Sequence, residues 1–61
     1  MGARVAIYRF ELANDRTGRY ELAGYWATLE HIESVRGIPK VSEARFVTID
    51  KVDFEGRFIG D

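Results

Sequence analysis

Ala6-Ile7-Tyr8-Arg9-Phe10-Glu11-Leu12-Ala13-Asn14-Asp15-Arg16-Thr17-Gly18-Arg19-Tyr20-Glu21-Leu22 is the stretch that decides the fold. From Arg4 to Leu12 apolar residues alternate, with Ala6, Tyr8, Phe10 and Leu12 on one face, and the same parity returns at Tyr20, Leu22 and Trp26. Period-two alternation on both sides of a polar, glycine-containing break predicts a β-hairpin. Asp15 can open a type I turn, and Gly18 can take the positive φ of a bulge. That turn would set Leu12 opposite Leu22, Phe10 opposite Gly24 and Tyr8 opposite Trp26, so that a ring covers the glycine. The other face carries Val5, Ile7, Arg9 and Glu11, then Glu21, Ala23, Tyr25 and Ala27. It is charged at the loop end and apolar at the open end, so it requires another layer or a partner.

Beyond the hairpin, Thr28 can cap a short helix, with Glu30 at the positive end of its dipole. Arg36 falls in the last turn, Gly37 suits the left-handed position just past the helix, Ile38 can pack beyond it and Pro39 prevents continuation. Leu29, Ile32 and Val35 form the expected buried stripe, too short to be stable unless it docks on a sheet. From Val41 to Ile59 the chain is rich in β-formers, but the parity changes: Val47 and Ile49 are odd, Val52 and Phe54 even. A turn at Asp50-Lys51 would place Ile49 opposite Val52 and Val47 opposite Phe54; Glu55-Gly56 is the competing turn. Two strands joined near Asp50-Lys51, with Gly56 as a bulge, are preferred over one long bulged strand. The expectation is a single α+β domain over residues 1–61, a small antiparallel sheet of ββαββ order with one short helix packed on it, working as a dimer.

The dimer expectation comes from size. Folding a 7.0 kDa chain removes about 6,000 Å² from water. At about 25 cal/mol/Å² for a roughly 60% apolar share, that burial is worth about 90 kcal/mol. Ordering 61 residues costs about 90 kcal/mol, so the balance is near zero. With no cysteine, disulfide support is closed, and self-association is the remaining route. The deficit is expected along Val5, Ile7, Arg9, Ala23, Tyr25 and Ala27, the hairpin face that one short helix cannot also cover.

Composition narrows the class. The formal net charge of −1 argues against a surface wholly committed to nucleic acid or anionic lipid. No apolar run is long enough for a signal sequence or a membrane span, so a cytoplasmic location is expected. Met1-Gly2 begins a myristoylation pattern, but Ala6 stands where Ser or Thr is needed. His31 is the one histidine and has no cysteine to share a transition metal. At the third helical position it is expected to be exposed or to hydrogen-bond at the helix end. Asp50, Asp53, Glu55 and Asp61 lack the spacing of a calcium loop. Ser34, Ser42, Thr17, Thr28 and Thr48 have no evident catalytic partner. No catalytic residue, metal site or cofactor is assigned, and an enzyme is not expected. The aromatic surplus, with Arg9, Tyr25 and Arg45 nearby, suits an interface or a single-stranded nucleic-acid platform.

The layout, with a Gly18-Arg19 hairpin, a short helix ending in Gly37-Ile38 and a second hairpin containing Glu55-Gly56-Arg57, resembles the swapped-hairpin transition-state regulators and antitoxins related to AbrB. That resemblance implies a DNA-binding dimer with Arg4, Arg9, Arg16 and Arg19 as phosphate or base contacts, and binding that weakens steeply with salt. It is the alternative to the preferred reading, a small non-catalytic protein-interaction homodimer that could also bind another protein, with nucleic acid not favoured and no membrane partner.

Overall fold

The central strand is β1 (Arg4–Asn14), which has an antiparallel neighbour on each side: β2 (Arg19–Leu22) and β3 (Ile38–Thr48), in the order β2-β1-β3. The structure is a computed structural model and describes residues 2–60. Met1, whose myristoylation pattern Ala6 already breaks, and Asp61 of the acidic set lie outside the described residues. Asn14, rather than Asp15, opens the hairpin loop. Its side-chain oxygen accepts from Arg16 N–H at 2.9 Å, and its carbonyl accepts from Thr17 and Gly18 N–H at 3.2 and 2.7 Å. Gly18 takes the expected left-handed turn with φ 72°. Because Asn14 closes on Arg19, the loop is one residue shorter than expected, and Leu12 faces Glu21 while Leu22 faces Glu11. The expected pairs Leu12–Leu22, Phe10–Gly24 and Tyr8–Trp26 are thus corrected. Ala23 N–H reaches the Phe10 carbonyl, and Tyr8 exchanges two backbone bonds with Ala27.

After β2 the chain crosses back along β1 and enters α1 (Leu29–Ser34), where the Thr28 hydroxyl accepts from His31 N–H at 3.3 Å as the expected cap. The helix ends in a Schellman arrangement: Gly37 N–H donates to the Ile32 carbonyl at 2.8 Å and Arg36 N–H to the Glu33 carbonyl at 3.1 Å. The left-handed residue is Arg36, with φ 60°, and not Gly37. Gly37 answers a different demand. A Cβ there would lie 2.9 Å from the Phe10 ring and 3.0 Å from the Glu11 carbonyl, so its absence lets the helix end close on β1. The expected stripe is also corrected: Ile32 is buried, but Leu29 and Val35 are exposed and His31 takes their place inside.

The sheet then closes through β3, where Arg4 faces Thr48, Ala6 faces Phe46 and Tyr8 faces Ala44. Between Tyr8 and Phe10 the register jumps, because Lys40, Val41, Ser42 and Glu43 stand opposite the single Arg9. No fourth strand forms among the described residues, so the order is ββαβ and not ββαββ. A 3-10 turn at Ile49–Lys51 does redirect the chain at Asp50-Lys51, but Val47 is already paired with Val5 and cannot face Phe54. The following residues instead fold into a tight turn at Gly56, φ 92°, held by isolated bridges from Val52 to Phe58 and from Ala27 to Arg57. Both candidate turns are therefore used.

Phe10, Ala27 and Ile32 form the fully buried cluster, with Tyr8, Leu12, Ala23 and Tyr25 packed against it. Ile7, of opposite parity on β1, is fully buried as well. The central strand is thus covered on both faces by its own chain.

Candidate functional site

Residues two apart on a strand share a face, and Cα partners across strands share it too. Ile7 is partnered by Arg45, and Arg9 follows two positions on, so both arginines stand on the Ile7 side of β1. There both lie against the indole of Trp26: the Arg9 guanidinium lies 5.5 Å from the ring centroid and that of Arg45 lies 5.4 Å from it. Arg45 also lies 5.7 Å from the Phe58 ring. Each cation is attracted by the quadrupole of the indole, and their mutual repulsion is eased by exposure to water. Arg9 and Arg45, singled out in the sequence, are thus brought together. Tyr25 is not with them. Its ring meets Phe10 edge-on at 5.1 Å, on the far side, in the core.

The same face continues toward the hairpin loop. The row Leu22–Glu11–Ile38 runs across all three strands, and Tyr20 beside Ala13 extends it. Tyr20, Leu22 and Ile38 are each about half exposed, at 52%, 48% and 45%, and only the Glu11–Lys40 ion pair, 3.5 Å long, breaks the apolar surface. An apolar strip edged by Arg and Trp has the composition of a protein-interface core, and it is where the molecule offers a continuous contact surface.

The face expected to need a partner sits elsewhere in part. Ile7 and Ala27 are fully buried within the chain and have no surface to offer; Val5, Arg9, Ala23 and Tyr25 are half-buried. The segment from Ala23 to Thr28, expected as a continuation of the second strand, supplies that cover itself. Tyr20, Leu22 and Ile38 are the exposed apolar residues of this face that sequence reasoning missed. With the hairpin register off by one, Tyr20 and Leu22 read as inward.

His31 is buried rather than exposed, and both ring nitrogens are engaged. Nδ1 lies 2.8 Å from the Glu55 carbonyl, which can only accept, so Nδ1 carries a proton; Nε2 shares a hydrogen bond of 2.8 Å with the Tyr25 hydroxyl. The ring ties α1 to the Gly56 turn and to the core. Beside it an open cleft of about 330 Å³ runs between α1 and the turn, lined by Val5, Thr28, His31, Ile49 and Phe54. The Ser34 hydroxyl donates to the His31 carbonyl at 2.7 Å, not to the ring. No group of acidic and imidazole side chains among the described residues is arranged to hold a metal.

The acidic residues serve the turn. Asp53 accepts from the N–H groups of Glu55 and Arg57, both at 2.9 Å, and from Arg57 Nε at 3.0 Å. The Arg57 backbone bond first, then the Glu55 backbone and the guanidinium, hold the Asp53 carboxyl below its ordinary range. Asp50 is lowered chiefly by a hydrogen bond from the Thr48 hydroxyl.

The four arginines implied as nucleic-acid contacts do not converge. Arg4 begins β1, while Arg16 and Arg19 lie at the hairpin loop, about 30 Å away along an eleven-residue strand, and Arg9 is engaged with Trp26 between them. No protein-family model matches this chain, no curated protein matches it and no solved structure matches it. Its surface therefore carries the functional reading by its own geometry. Among the described residues no helix is long and apolar enough to cross a membrane.

Proposed function

We propose that this chain is a small non-catalytic protein-interaction domain that works as a homodimer. The observation that carries the reading is uncovered apolar surface. Among the described residues only Ile7, Phe10, Ala27 and Ile32 are fully buried apolar side chains, whereas Val41, Phe46, Ile49, Phe54 and Ile59 are more than half exposed. The chain exposes 4671 Å², against about 4,000 Å² for a compact monomer of this mass. The excess of roughly 700 Å² is close to the ~800 Å² that each partner buries in a specific interface. A net charge of −1 leaves little repulsion between copies.

The strip of Tyr20, Leu22 and Ile38 beside Arg9 and Trp26 is the surface best suited to a further protein. DNA binding has less to rest on, because the arginines it requires are spread along the molecule. Sedimentation velocity from about 1 to 100 μM tests the reading: a species of twice the chain mass is expected, with Kd in the micromolar range or tighter. A single-chain mass throughout that range would overturn it.

A further inference from the structure

We infer that the two copies join along the outer edge of β3, through Ala44–Thr48, in an antiparallel register centred on Phe46; this rests on the homodimer reading. The Ile49 N–H donates to the Ala3 carbonyl at 2.8 Å, which fixes the alternation of the β1–β3 ladder. Odd residues Val47 and Arg45 turn their backbone groups toward β1. The N–H and C=O groups of Ala44, Phe46 and Thr48 therefore point to the open edge, where no other strand among the described residues pairs.

A long bare edge is a template for another strand, and proteins blunt such edges with prolines, charges and bulges. Here the blunting covers only half of β3: Pro39 and the four-residue excursion Lys40–Glu43 interrupt its beginning, while Ala44–Thr48 stays regular. Edge pairing must match outward groups to outward groups, so only every second register is possible. A pairing centred on Arg45 would set two guanidinium groups opposite each other. A pairing centred on Ala44 would run into the excursion. Centring on Phe46 overlaps the regular segment completely, setting Ala44 against Thr48, Arg45 against Val47 and Phe46 against its own copy. Phe46 is 69% exposed, because its neighbour Ala6 is too small to cover it. Joined this way, Phe46 gains the missing cover and two three-stranded sheets become one of six strands.

Ala44→Pro is the discriminating variant. The Ala44 N–H is not used in the ladder to β1, so proline removes only the outward donor and leaves the fold its internal bonds. Two donors are lost per dimer by symmetry, so the dimer dissociation constant should rise at least about thirtyfold. In the unaltered protein, amide hydrogen exchange should show Ala44, Phe46 and Thr48 protected at concentrations where the dimer forms and unprotected on dilution. This measurement stands even if the proline variant does not fold. A dimer in which these amides exchange freely and Ala44→Pro has no effect overturns this interface and leaves the homodimer standing. A monomer throughout overturns both.

Discussion

Two glycines with positive φ look alike in sequence but meet different surroundings. A Cβ on Gly18 would find nothing within 4 Å, whereas on Gly56 it would lie 2.5 Å from Thr28 Oγ1 and 2.9 Å from His31 Cβ. Gly18→Ala should therefore cost only the backbone penalty, about 1 kcal/mol. Gly56→Ala should cost at least about 3 kcal/mol, because the helix cap and the His31 ring must also shift. Urea denaturation of the two variants compares them directly, and equal costs would contradict the close contact between the turn and α1. Part of this scale was legible: Thr28 as cap and Gly18 as a turn residue, whereas Gly56, preferred as a bulge, forms the competing turn. Arg36 and Gly37 were misassigned because either can follow a helix. What excluded a side chain at Gly37 was the nearness of Phe10, which no local pattern records.

Elements were read less surely than residues, and the failures share a cause. The hairpin was recognised, but Asn14 and Asp15 can both open a turn. Choosing the second lengthened the loop by a residue and turned Leu22 from Glu11 to Leu12. A one-residue slip reverses the apparent facing of a whole strand, which is how the exposed strip of Tyr20 and Leu22 went unseen. The final segment read as strand from composition, yet after the 3-10 turn it pairs through single bridges and is clipped by Asp53. That clip is acid-labile. Its carboxyl is held below the ordinary value near 3.9, so its contribution is present above that pH and is lost as the pH falls through the lowered value. Thermal unfolding followed from pH 5 to pH 2 should show this loss. In Asp53→Asn, whose amide does not titrate, the midpoint should start lower and the decline be shallower; an unchanged decline would place the acid sensitivity elsewhere.

At the scale of the whole molecule, the near-zero balance predicted a deficit but not its location. The expected bare face was covered by the Ala23–Thr28 segment, and the exposed apolar residues lie instead on the hairpin strip, along β3 and at the C-terminal turns. The chain is elongated, 44 × 23 × 19 Å, with a radius of gyration of 11.9 Å against about 10.5 Å for a compact domain of this length. If folding and association are coupled, the denaturation midpoint should rise with protein concentration, by mass action, in the unaltered chain. In Ala44→Pro the rise should be smaller and begin at higher concentration, read by circular dichroism over a hundredfold range of concentration.

The central place of β1 also sets the order in which the chain can assemble. Its contacts with β2 close across a four-residue loop, a step available on the microsecond scale. Its contacts with β3 join Arg4 to Thr48, 44 positions apart, so their loop-closure cost is met late. An emerging chain would hold a hairpin with one edge of β1 still open until β3 was made. The slow step of folding is then the arrival of β3, the same strand whose outer edge is left to receive a second copy.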